Sequence, residues 1–160
     1  MSTQKEKICC PKFNPVPFQE KTHVWKDKLF VMGKVMQIMH IPLNMGSVIT
    51  KLWNQIEAAN AKVPDKDILM LAYDPSPWIS EFYINVSKEI PGMTNVRLSG
   101  TYISKVFDGP YNAVPQWIKE FDEYLLKKNK KAKKYYFYYT TCPKCAKKYG
   151  HNYCVAFAEV

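Results

Sequence analysis

Residues 95–126 read NVRLSGTYISKVFDGPYNAVPQWIKEFDEYLL. Asn95 to Phe107 carry β-branched and aromatic residues at the density of a strand, with Gly100 as the point where it bends. Asp108-Gly109-Pro110-Tyr111 has the composition of a turn, and Asn112 offers an N-cap for the helix that follows. On that helix Val114, Trp117, Ile118, Phe121 and Leu125 recur at three- and four-residue spacing, so one stripe faces a core. The same stripe stands 69 residues earlier as Met45, Val48, Ile49, Leu52 and Ile56. A strand, a helix and their duplicate at a constant offset predict an internal repeat.

Working outward, Val35 to Leu43 reads as the strand of the first copy, with Asn44 as N-cap of a helix running to about Ala61. Asp67–Tyr73 and Glu81–Glu89 follow as two strands around Asp74-Pro75-Ser76-Pro77. In the second copy Lys134–Thr140 and Asn152–Val160 take those places. The expected fold class is α+β: two pseudo-symmetric β-α-β-β repeats, 34–90 and 95–160, with an antiparallel sheet and one helix per repeat. Residues 1–33, with Pro11, Pro15, Pro17 and the aromatics Phe13, Phe18 and Trp25, read as an arm packed on this 34–160 domain.

A chain of 160 residues with 47% apolar content closes one core without crosslinks. No run approaches the roughly 18 apolar residues of a membrane span, and the N-terminus is polar, so a cytoplasmic protein with reduced cysteines and no membrane partner is expected. The net charge of +9 invites a nucleic-acid partner. Much of it, however, falls in Lys127, Lys128, Lys130, Lys131, Lys133 and Lys134, where a solvated helix end accounts for it, and no nucleic-acid-binding motif accompanies the run. No nucleic-acid partner is expected.

Strand alternation sets Glu81, Tyr83, Asn85 and Ser87 on one face and Phe82, Ile84 and Val86 on the other. The second set reads as core, so the first can line a groove. There Glu81 fits a general base toward water or a counter-charge to a cationic ligand, and fits equally a solvent-facing strand glutamate. Trp78, just ahead, and Tyr136 and Tyr138, which share a face opposite Tyr135, Phe137 and Tyr139, are candidate aromatic walls. His40 ends the first strand and serves either the pocket or the packing. Turn formation accounts for Asp108. No nucleophile elbow, phosphate loop or His-Glu metalloprotease motif is present, which leaves a pocket carboxylate as the means of any hydrolysis.

Cys142-Pro143-Lys144-Cys145 has the spacing of a zinc knuckle, and Cys9-Cys10 complete four thiolates if the arm folds back, or one of them joins His151. Unligated thiols fit as well. Dithiol redox chemistry fits less, because the pair does not open a helix after a strand. Cys154 lies in a strand and reads as core. No cofactor is required; structural zinc is the one candidate.

Leu98 to Tyr111, followed by a helix holding Trp117, resembles the signature of GyrI-like small-molecule-binding domains. That family includes gyrase-inhibitor proteins, effector domains of multidrug-sensing regulators and stand-alone hydrolases of cyclopropane-bearing genotoxic compounds. Cys9–Phe13 and Thr140–Gly150 are similar to a stand-alone subgroup often labelled only as hydrolases. The resemblance implies a groove between two β-α-β-β modules, with Tyr102 and Tyr111 as further walls. It implies a stand-alone protein, monomer or homodimer, that takes an amphipathic or aromatic organic molecule. The alternatives are a hydrolase of a reactive or toxic small molecule, with Glu81 for acid/base work, and a zinc-stapled interaction module. Whether the chain is an enzyme stays open at this point. With only the short arm ahead of the domain, a helix-turn-helix region and direct transcriptional control are not expected.

Overall fold

Each amphipathic helix must bury its stripe, and each does so on its own half of one sheet. The computed structural model describes residues 13–39, 41–140 and 147–160, with Tyr111 described by its backbone alone. Among these, the order is β1 (Lys21–Ile38), β2 (Ile41–Pro42), α1 (Met45–Ala58), β3 (Met70–Tyr73), β4 (Ile79–Asn85), β5 (Thr94–Asp108), α2 (Val114–Leu126), β6 (Lys134–Tyr139) and β7 (Tyr153–Glu159). The architecture is α+β with an antiparallel sheet, as expected. Leu52 and Ile56 of α1 pack on Val31, Val35, Phe82 and Ile84, while Trp117, Phe121 and Leu125 of α2 pack on Ile103, Phe107, Phe137 and Ala156. Burial of such side chains contributes about 1.5–3 kcal/mol each. α1 approaches its half closely at Gly33, where a Cβ would stand 2.8 Å from Val48 Cγ1.

The strand order is β2-β1-β4-β3-β6-β7-β5, and a further pairing of β1 with β5 joins the ends of this series into a barrel-like ring. Of the two long strands, β5 serves two partners, β1 and β7, and β1 serves three, β2, β4 and β5. Phe30–Met36 of β1 pair with β4, and Lys21–Met32 pair with β5. β4 is the middle strand of the first half, between β1 and β3, and β7 that of the second, between β5 and β6. The halves meet again where Ala72 of β3 pairs with Phe137 of β6.

Several local expectations differ from this picture. The first strand begins at Lys21, not Val35, so residues 21–33 of the supposed arm are sheet, and the 33/34 boundary falls inside β1. The polar exterior of this segment hides its alternation, and its ladder to β5 comes from far along the chain. The bulge between Trp25 and Lys28 faces Gly100, whose φ of 145° suits glycine. Asn44 is the residue before α1, but its side chain accepts the Met36 amide (2.9 Å) instead of capping the helix. α1 stops at Ala58, and Asn60, at φ 54°, turns the chain out. A 3-10 turn, Tyr111–Ala113, precedes α2 in place of a cap by Asn112. β4 ends at Asn85 because that side chain takes over the neighbouring ladder, accepting from the Leu69 amide and donating to Asp67 O. Lys134 opens β6, as the expected strand Lys134–Thr140 has it, and so does not belong with the lysines of the helix end.

Candidate active site

The alternation along β4 and β6 now has a physical meaning. Phe82 and Ile84 face α1, and Phe137 faces α2. Tyr83, Tyr102, Tyr136 and Tyr138 face the inside of the ring, with Phe30, Leu69, Leu71, Val155 and Phe157. Tyr136 lies 5.8 Å from Tyr83, 6.3 Å from Tyr102 and 5.6 Å from Tyr73, ring centre to ring centre, so three expected wall residues form one continuous aromatic cluster, and Tyr83, Tyr102 and Tyr136 are buried in it as core and not open as walls.

Glu81 stands on the same face, half-buried, paired across strands with Lys34 of β1 and Tyr73 of β3. The Tyr83 hydroxyl donates to Glu81 Oε2. Burial, then the hydrogen bond to Glu81 and its charge, push the Tyr83 hydroxyl far above its ordinary value, so it remains a donor throughout the physiological range. Tyr136 is raised by burial and by the charges of Glu159 and Glu81, and Tyr102 by burial and Glu159. Glu159, on the middle strand of the second half and paired across strands with Tyr102 and Lys134, is a second carboxylate beside this aromatic cluster. The alternation Tyr153, Val155, Phe157, Glu159 was the signal that could have pointed to it. Lys134 was also missed as a site residue: its Nζ lies 3.8 Å from the centre of the Tyr73 ring and 5.0 Å from that of Tyr136.

Other expected residues stand elsewhere. Trp78 precedes β4 and is 58% exposed, because it sits outside the closed part of the ring. Tyr138 shares the inner face but meets Phe13, at 6.1 Å, rather than the Glu81 side. His40, Cys9, Cys10, Cys142 and Cys145 lie outside the described residues, and the Tyr111 side chain is not described. Among the described residues no group of three or more His, Cys, Asp or Glu could hold a metal ion, and no helix is long and apolar enough to cross a membrane. His151 Nδ1 pairs with Asp108 Oδ2 at 2.7 Å, and its ring stacks on Tyr153. Burial opposes ionisation of Asp108, but the hydrogen bonds from His151 and the Asn152 amide outweigh it and hold the carboxyl below its ordinary value. Cys154 is buried, which pushes its thiol up and keeps it inert.

A family model described as bacterial hydrolase matches residues 1–160, the whole chain. The chain belongs to the bacterial hydrolase family. No curated protein matches it. Three solved structures from Listeria innocua share the fold of this family member, each covering 88% of this chain and 91% of its own. An uncharacterized conserved protein has TM-score 0.65 at 8% identity, and two hydrolases have TM-scores of 0.63 and 0.59 at 9% identity. At such identities the likeness is one of fold.

Proposed function

We propose that this chain hydrolyses a small organic molecule held where the inner face of the sheet opens to solvent at Glu81, with Glu81 as general base. The carrying observation is that Glu81, half-buried beside the aromatic cluster, has one oxygen, Oε2, held by Tyr83. The Tyr83 bond orients the carboxylate and leaves Oε1 to accept a proton from water as that water attacks an electrophilic carbon. The bond to the leaving group then breaks, and the leaving group takes a proton from Glu81 or from solvent. Such proton transfer contributes typically 10²–10⁴-fold. Membership of a family named for hydrolysis, and the hydrolase structures of like fold, support this over binding without turnover. The finer likeness to GyrI-like domains is supported by two β-α-β-β halves around one inner face.

The test is hydrolysis of 4-nitrophenyl butyrate and of styrene oxide by the wild-type chain and by Glu81→Gln, beside binding of the intact molecules. Turnover that falls by about 10² or more with binding retained supports catalysis by Glu81. Equal turnover in both proteins would overturn it, and binding with no turnover in either would leave a small-molecule-binding protein.

A structural zinc ion is a second proposal, favoured by one observation. Phe13 packs on Tyr153 (5.9 Å), and Tyr153 stacks on His151, so Phe13, three residues after Cys10 in sequence, meets the strand that follows Cys142 and Cys145 in sequence. In the carboxylate–histidine–zinc pattern Asp108 would orient His151. Native mass spectrometry before and after a chelator tests it: one zinc, absent from Cys142→Ser/Cys145→Ser, is the expected result, and a metal-free mass in the fresh protein would overturn it.

A further inference from the structure

The face that carries Glu81 does not end there. Met36 pairs with Ile79, two residues beyond the Lys34–Glu81 pair on each strand, so both side chains return to that face. The Leu43 amide donates to Met36 O (2.9 Å), and Ile38 pairs with Ile41, which brings Leu43 and Ile41 to the same face. These five residues, Met36, Ile38, Ile41, Leu43 and Ile79, are 43–66% exposed. They form an uncharged apolar stripe continuous with the carboxylate and reaching roughly 13 Å beyond it, at about 3.3 Å per residue.

The stripe is built rather than loose. On the opposite face buried Gln37 donates to Asp74 Oδ1 (2.6 Å) and to Ser76 O (2.7 Å), and Asn44 Oδ1 accepts from the Met36 amide, so side chains clamp the β1–β2 hairpin. Its area, on the order of 500 Å², is that of the largest apolar patches on monomers. It falls short of the roughly 800 Å² that each partner of a standard protein interface buries. An occupant of small-molecule size that also reaches Glu81 fits it best.

We propose that this stripe is the subsite for the apolar portion of the molecule whose polar, hydrolysable group lies at Glu81 and Tyr83; the substrate is then an amphiphile with an extended hydrocarbon part. The assignment rests on Glu81 marking the polar end. Its test is a series of 4-nitrophenyl esters, acetate, butyrate, octanoate and decanoate, below their aggregation limits, beside the unreactive N-butyl-, N-octyl- and N-decylacetamides followed by tryptophan fluorescence.

In the wild-type chain kcat/KM and affinity should rise with chain length, by up to about fourfold per buried methylene. In Met36→Ser/Ile79→Ser, and independently in Ile38→Lys, the decanoate-to-acetate ratio and the decyl-to-butyl affinity ratio should fall at least tenfold, with melting temperature showing that each variant is folded. Chain-length-dependent amide binding without ester turnover would support the stripe while removing the hydrolase assignment. Turnover or binding that is flat across chain length, or unchanged in both variants, would overturn the stripe. So would the absence of both activities, or a wild-type dimer that these variants dissociate.

Discussion

The two halves of the sheet share an architecture and differ in what lies on their inner faces. In the second half, Trp25 stacks on Tyr102 at 4.2 Å and meets Phe157 at 5.6 Å, Phe18 meets Phe157 at 6.0 Å, and Phe13 meets Tyr138. The N-terminal segment and the start of β1 thus cover that face, and Phe157 is wholly buried. In the first half, Glu81 is half-buried, and beyond it Met36, Ile79, Ile38 and Ile41 face solvent. One copy of the duplicated unit is sealed along this face by its own chain; in the other Phe30, Leu71 and Tyr83 are buried, and the face is open only at and beyond Glu81. A repeat need not use both copies alike: covering one face to its end adds core to the barrel, and leaving the end of the other uncovered is what the proposed site at Glu81 requires.

The largest expected effect separates the two carboxylates. Glu81→Gln should lower kcat on the ester and epoxide probes by about 10²–10⁴-fold, whereas Glu159→Gln, on the covered half, should cost less than about tenfold. Equal losses would mean that the two halves contribute alike and would break the contrast. Stability should show the reverse order. Phe157→Ala removes a ring from the covered side and should cost about 3–5 kcal/mol in urea unfolding, against about 0.5 kcal/mol or less for Met36→Ser on the open side. A similar loss at Met36 would show that something covers the open face in solution.

A third, smaller effect lies on the outer side of the open half. Gly33→Ala places a methyl 2.8 Å from Val48 Cγ1 and 3.1 Å from Leu52 Cδ1. Because Val48 is only half-buried it can shift, so the cost should be about 1–2 kcal/mol, with partial recovery in Gly33→Ala/Val48→Ala. No loss at all would show that α1 yields freely on its half.

The helix stripes were legible because a 3.6-residue period is local and strong, and their constant offset led to the duplicated fold. Faces within strands were legible too: parity alone set Glu81 with Tyr83 on one face and Tyr136 with Tyr138 on one face, though not which side of β6 is the inner one. What local sequence does not encode is closure. Residues 21–32 become strand because β5, some seventy residues on, supplies their ladder, and a lysine-rich exterior masks the alternation. Lys134 looked like one more solvated lysine, and only the approach of β3 to β6 sets it over Tyr73 and Tyr136. Trp78 looked like a wall residue by composition, but the end of the ladder leaves it outside the ring.

The smallest expected effect concerns the seal itself. His23 Nε2 meets Ser104 Oγ at 2.7 Å, Ser104 donates to Phe18 O, and the imidazole packs among Phe18, Trp25 and Phe157. Burial, with a smaller contribution from the charge of Lys28, lowers the His23 pKa from its ordinary value of 6.5. Just below pH 6.5 the unfolded chain therefore binds more protons at this site than the folded chain. The stability associated with neutral His23 is present above that pH and is lost as pH falls through the folded value. Asp108 stays out of this window, because its pKa lies below the ordinary 3.8. Thermal melts at pH 8 and pH 5.5 should show a drop of a few degrees in the wild-type chain and a smaller one in His23→Gln, with the loss appearing first in tryptophan fluorescence, since Trp25 borders the imidazole. An equal pH dependence in both proteins would place the acid sensitivity outside the covered half.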